Sequence, residues 1–155
     1  MIKPTILAVA LAAMAAVSAQ SPAPSKEGPL KLSLVTVLVR DQDEALRFYT
    51  EVLGLEKRTD QRAHGMRWVT VAPAGQKHPE IVLLKAEGAR ERQIGRGTTW
   101  VFDTTDCRKM YEVLRARGVK FLSPPGETPW GVQAVFEDLY GNPFALIQPG
   151  SQRPY

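Results

Sequence analysis

Only a few side chains in this sequence could carry chemistry, and their spacing limits what that chemistry is. The two histidines, His64 and His78, fall in polar, turn-forming stretches and form no His-x-x-x-His pair of the kind a helix aims at one ion. Glu80 and Glu137 lie near strand positions and could reach a shared groove, yet two carboxylates without an imidazole make a poor transition-metal site. A site rebuilt from Glu80, Glu137, His64 or His78 is the one route to metal chemistry these residues leave open. Cys107 is the only cysteine, so no disulfide can form within the chain. It opens a helical stretch with no base or second thiol beside it, and reads as a packing residue rather than a nucleophile. Gly95-Arg96-Gly97 precedes a strand, not a helix, and lacks the amide-rich terminus a phosphate cradle needs. No serine has the Gly-x-Ser-x-Gly setting of a hydrolase elbow.

The elements that must position these residues follow from periodicity. Residues Leu32 to Val39, rich in Val, Leu and Thr, have the composition of a buried strand. Asp41 and Asp43 then stand where a carboxylate accepts hydrogen bonds from first-turn amides. In the helix that follows, Ala45, Leu46, Tyr49, Val52 and Leu53 form one apolar stripe, which Gly54 closes as a C-cap. Arg67 to Ala72 and Glu80 to Lys85 read as antiparallel strands about the turn Pro73-Ala74-Gly75, and Ala86 to Gly97 as a polar loop.

The pattern then starts again. Thr98 to Phe102 is a strand, Asp103 and Asp106 cap a helix striped by Met110, Tyr111, Val113 and Leu114, and Gly118 ends it. Val119 to Leu122 is a strand, Ser123 to Gly126 a loop and Val132 to Glu137 a strand. Asp138 to Asn142 turns into a last strand, Phe144 to Gln148. Asp41 matches Asp103, Tyr49 matches Tyr111 and Trp68 matches Trp130 at one constant offset, as an internal duplication would produce.

The stretch Arg40-Asp41-Gln42-Asp43-Glu44-Ala45-Leu46-Arg47-Phe48-Tyr49-Thr50-Glu51-Val52-Leu53-Gly54-Leu55 resembles the first strand-helix unit of the glyoxalase, bleomycin-resistance and extradiol-dioxygenase group, the vicinal oxygen chelate superfamily. The ending Phe136-Glu137-Asp138-Leu139-Tyr140-Gly141-Asn142-Pro143-Phe144-Ala145-Leu146-Ile147 resembles that group's final hairpin. The resemblance covers Leu32 to Gln148 and implies an α+β fold in which two βαβββ repeats form a curved mixed sheet with helices on its outer face. It also implies four metal-ligand positions, one on the first and one on the last strand of each half. Matching motif to motif puts them at Leu34, Leu83, Thr98 and Ala145. Three of these side chains have no lone pair, and a threonine alone cannot hold a metal, so the expectation is a metal-free member with no cofactor.

Strand alternation would place Leu34, Thr36 and Leu38, Ile81 and Leu83, Thr98 and Trp100, and Ala145 and Ile147 on one open face. Val35, Val37, Val39, Val101, Phe144 and Leu146 would then pack on the helices. The groove residues expected from this pattern are Leu34, Thr36, Leu83, Thr98, Trp100, Ala145 and Ile147. A concave apolar sheet with a few hydroxyls suits a hydrophobic or aromatic small molecule, and equally a contact between subunits. Trp68 and Trp130 either flank the opening or belong to the core.

At 155 residues, 44% hydrophobic and 23% charged, the chain fits one globular domain. The net charge of +4 might suggest nucleic acid, but Arg90, Arg92 and Arg96 lie in a loop, while Arg108, Lys109, Arg115, Arg117 and Lys120 spread along a helix and its exit. No basic stripe results, and no nucleic-acid partner is expected. Met1-Ile2-Lys3, an apolar run from Ile6 to Val17 and the small-residue ending Val17-Ser18-Ala19 have the form of a secretory signal peptide; an uncleaved anchor, for which a bilayer takes about 20 apolar residues, is the weaker reading. The expected organisation is a signal peptide over residues 1–19, a Pro-rich linker over 20–30, a glyoxalase-like domain over 31–149 and a tail over 150–155. The expected protein is bacterial, periplasmic or secreted, not inserted in the membrane once the signal is cleaved, homodimeric, and a binder of a small hydrophobic or aromatic molecule. Two alternatives stay open: a lyase or dioxygenase with a rebuilt metal site, and a protein-interaction module.

Overall fold

The computed structural model describes residues 32–151. The expected signal peptide, linker and last tail residues lie outside them. The described chain runs β1 (Leu34–Val39), α1 (Gln42–Arg47, continued by a wider turn over Phe48–Val52), β2 (Glu56–Ala63), β3 (Met66–Ala72) and β4 (Glu80–Lys85). A 3-10 segment (Gly88–Gln93) leads to the second half: β5 (Trp100–Asp103), α2 (Cys107–Ala116), β6 (Lys120–Thr128), β7 (Gly131–Glu137) and β8 (Pro143–Pro149). Each half is a βαβββ unit, and the two give four-stranded sheets of order β1-β4-β3-β2 and β5-β8-β7-β6. Within each sheet the first strand is parallel to the last and the other pairs are antiparallel.

Local chemistry explains the helices. Asp41 is extended, and its carboxylate accepts from the Glu44 amide at 2.8 Å, with Asp43 and Glu44 in the first turn. The helix then loosens: the Leu53 amide bonds the Phe48 carbonyl five residues back, and the Thr50 hydroxyl donates to the Leu46 carbonyl at 2.8 Å. In α2 the capping residue is Asp106, accepting from the Lys109 amide at 2.9 Å, while Asp103 ends β5. That corrects the paired capping role expected of Asp103. The landmark pairs fall with it, because Trp68 is inside β3 and Trp130 precedes β7, so the two halves repeat in topology but not at one constant offset.

Three further elements differ from expectation. The strand β2, Glu-Lys-Arg-Thr-Asp-Gln-Arg-Ala, shows no apolar alternation because it is a mostly exposed edge strand held by β3. Its hairpin turns at His64 and Gly65, both with positive φ (52° and 77°). The expected loop Ser123 to Gly126 is part of β6, where register shifts absorb Pro124 and Pro125 on an edge strand. And β5 starts at Trp100, so Thr98 precedes the strand.

The two halves share one core. Val35, Val37, Val39, Ala45, Tyr49, Val69, Val71, Ile81 and Leu83 from the first join Cys107, Leu114, Ala134, Phe136, Phe144 and Leu146 from the second. Tyr49 of α1 meets Phe144 of β8 edge-on at 6.1 Å, and Phe144 stacks on Phe136 and Phe102 at 5.4 and 5.5 Å. Each such ring contributes about 1.5–3 kcal/mol through burial.

Candidate functional site

The faces of the sheets that do not enter this core are set by register. In the first sheet Val35 lies beside Ile81 and Val37 beside Leu83, so Ile81 and Leu83 point into the core. Leu83 is 0% exposed and is not a groove residue. The open-face row is Thr36, Val82, Thr70 and Thr59 across β1, β4, β3 and β2. In the second sheet Trp100 lies beside Phe144 and Val101 beside Ala145, so the parity expected of β5 reverses: Val101, 49% exposed, is on the open face, and Trp100 packs partly against the core. Ala145 and Ile147 do belong to the open face but are each only 5% exposed.

Of the seven expected groove residues, the structure brings three to one cleft. Thr36, Thr98 and Trp100 line a cleft of about 710 Å³ together with Leu38, Leu84 and Asn142. Leu34 is exposed on the same face of β1 but lies outside it. The far wall is the segment after β4, which supplies Arg90, Arg92, Gln93 and Arg96. The sequence places those arginines in a loop and does not point them at a cleft. Their signal was the density of cations between two predicted strands, and nothing in the spacing said which way they faced. A neighbouring cleft of about 650 Å³, lined by residues including Arg62, His64, Met66, Arg67 and Lys85, shares Leu84 and Arg90 with the first.

A buried polar network holds the arginine-bearing wall in place. The Tyr49 hydroxyl donates to the Asp138 carboxylate at 2.8 Å, and Asp138 also accepts from the Asn142 amide and side chain at 2.9 and 2.8 Å. Asn142 in turn donates to the Leu38 carbonyl at 3.0 Å and accepts from the Gly95 amide at 3.0 Å. The wall is thereby tied to both β1 and the core. Burial, then the charge and hydrogen bond of Asp138, push the Tyr49 phenol well above its usual pKa, so it remains a donor. Gly95 is required here: its φ is +75°, and a Cβ would meet the Tyr140 carbonyl at 2.9 Å. Nearby, the Tyr140 hydroxyl accepts from the Asp41 amide at 3.1 Å and donates to Glu44 at 2.7 Å. Burial first and Glu44 second push it up to about 12.

The donor chemistry a divalent metal requires is missing from these faces. The open-face residue of β4 beside Thr36 is Val82 rather than Leu83, which changes one of the four family positions without adding a lone pair. Leu34, Val82 and Ala145 cannot ligate, and Thr98 stands outside the strand. The residues present do not fit the metal that the enzymes of the resembling family carry. Nor are the rebuilt-site candidates assembled: His64 is in the β2–β3 turn, His78 precedes β4, and Glu137 is paired with Lys120 at 2.6 Å. Among the described residues no three His, Cys, Asp or Glu side chains converge as a metal site would need. Cys107 is buried, its Sγ donating toward the Leu146 carbonyl at 3.6 Å, and burial raises its pKa. No helix among the described residues is long and apolar enough to cross a membrane.

Comparison with known proteins agrees with this architecture. Residues 31–146 match the family described as the Glyoxalase/Bleomycin resistance protein/Dioxygenase superfamily. A Shewanella frigidimarina protein is 35% identical over 127 residues, covering 77% of this chain and 94% of that protein. Bacillus subtilis YurT is 35% identical over 126 residues, covering 77% and 99%. Among solved structures, UcmS2 is 38% identical with a TM-score of 0.71, covering 77% of this chain and 98% of its own. TnmS3, described as an antibiotic binding protein from Streptomyces sp. CB03234, is 34% identical with a TM-score of 0.70, covering 78% and 97%.

Proposed function

This chain belongs to the glyoxalase/bleomycin resistance protein/dioxygenase superfamily, and we propose that within it the protein is a metal-independent binder of a small aromatic or hydrophobic molecule. The observation that carries this reading is the cleft in which Thr36, Leu38, Leu84, Thr98 and Trp100 converge while three of the four metal positions hold side chains without donor atoms. An indole and two leucines offer apolar contact, and two hydroxyls offer orientation; nothing in the set activates a water or a carbonyl. The similarity to an antibiotic binding protein supports a small-molecule ligand.

The proposal extends to assembly and location. Leu34, Met66, Trp68 and Val101 are exposed apolar side chains on the open faces, area that a second copy of the chain would cover, so the protein is read as a homodimer. The N-terminal leader pattern makes it a periplasmic or secreted protein. Titration with polycyclic aromatic compounds, followed by thermal shift and tryptophan quenching, tests the binding reading. Saturable binding that Thr36→Trp blocks by filling the cleft is the expected result. Activity that requires an added divalent metal, with no effect of that substitution, would replace it with the enzyme reading.

A further inference from the structure

The charge of the cleft is one-sided. Arg90, Arg92 and Arg96 line it, and no aspartate or glutamate does. None of the three guanidinium groups makes an ion pair or a side-chain hydrogen bond with the described residues. Arg67, in the adjacent cleft, shows the contrast: Asp60 and Asp43 hold it at 2.8 and 2.7 Å, so its charge is already answered. Three uncompensated cations around one concavity repel one another and raise its potential for anions. Their backbone is not a loose surface loop, because the Gly95 amide is fixed on Asn142 and, through it, on Asp138 and Tyr49.

We propose that the ligand of this cleft is an aromatic anion, its carboxylate or equivalent acidic group held by Arg90, Arg92 and Arg96 and its ring against Trp100, Leu38 and Leu84. This rests on the reading of the cleft as the ligand site, and specifies the class of molecule it takes. Guanidinium groups bind carboxylates through paired N–H donors, with each charge-assisted bond stronger than a neutral one. The Thr36 and Thr98 hydroxyls, at the same cleft, can donate or accept and add no charge preference. A cationic or neutral aromatic of the same shape keeps the apolar contacts but leaves the arginines unanswered.

The test uses the full mature chain and three matched probes: naphthalene-2-carboxylate, naphthalene-2-carboxamide and 2-naphthylmethylammonium. Affinities are measured by calorimetry at low and high salt. The carboxylate is expected to bind about tenfold or more tighter than the carboxamide, and the ammonium weakest, with the advantage shrinking as salt rises. The exposed triple variant Arg90→Gln, Arg92→Gln, Arg96→Gln should erase the preference, so that carboxylate and carboxamide bind it within about twofold of each other. Equal affinities for carboxylate and carboxamide, both blocked by Thr36→Trp, would overturn the anion preference and leave the cleft reading standing. Binding of no probe, or binding untouched by Thr36→Trp, would overturn both.

Discussion

The Tyr49 hydroxyl donates to the Asp138 carboxylate across 2.8 Å and 89 residues, joining the helix of the first repeat to the last turn of the second. Both groups are buried, so removing the donor leaves a carboxylate oxygen with one partner fewer away from water. Tyr49→Phe is expected to lower unfolding free energy by about 1–3 kcal/mol with an unchanged denaturant slope, read from urea melts followed by far-UV dichroism.

Gly95 presents a backbone problem rather than a packing one. An alanine there would have φ near +75° and a Cβ 2.9 Å from the Tyr140 carbonyl. Gly95→Ala should cost about 1–2 kcal/mol and, because the displaced segment carries Arg90, Arg92 and Arg96, weaken ligand binding more than it weakens the fold. Parallel thermal melts and probe titrations separate the two effects.

The Asp60–Arg67 pair makes stability depend on pH. The hydrogen bond and charge of Arg67 hold the Asp60 carboxyl below its ordinary 3.8. A folded-state pKa below the unfolded one means the contribution is complete above 3.8 and is lost as pH falls through the lower folded value. Asp60→Asn should therefore be less stable than the parent at neutral pH, with the gap closing only in strong acid. Urea midpoints taken at several pH values across the acid range check this. A gap that stays constant down to the lowest pH would assign the effect to packing instead.

Metal removal is expected to change nothing. Protein purified without chelators should carry no stoichiometric transition metal, and exhaustive chelation should leave its melting temperature where it was. One tightly held divalent ion per chain, by elemental analysis, would contradict the metal-free reading.

Cys107 should behave as a core residue. Its thiol is buried and its pKa raised, so reaction with a disulfide reagent at neutral pH is expected to be slow in the native protein and fast after unfolding in urea. The rate ratio is the readout.

The strength of the sequence signal varied with how each element is solvated. β1 alternates buried and exposed residues, and its face follows directly from Val35, Val37 and Val39. The middle of β4 is Ile-Val-Leu, buried on both sides, so periodicity carries no parity there; only pairing with β1 shows that Ile81 and Leu83 face inward. β5 is four residues long, too short for alternation to settle Trp100 against Val101. β2 has no apolar face at all and exists because β3 offers it a ladder. Of the cleft, Thr36 and Leu38 on β1 were legible, whereas Trp100 lines it although the face expected of β5 is reversed. The arginine wall was not legible, because a 3-10 segment leaves no repeating pattern and its orientation is fixed by Asn142 from the far end of the chain.

The shared core gives the connection between the repeats a second identity. Separated at that point, each half would present its helix-bearing face to water, with Tyr49 on one fragment and Phe144 and Asp138 on the other. The connection is a tether that keeps the two halves at an effective concentration on the order of millimolar, and added length there costs about 0.6 kcal/mol per doubling. Exposed positions of that tether, Arg90, Arg92 and Arg96 among them, can thus change at little cost to folding as long as Ala86 and Ile94 stay buried and Gly95 keeps its anchor, so the charge of the cleft wall can be rewritten without rebuilding the protein.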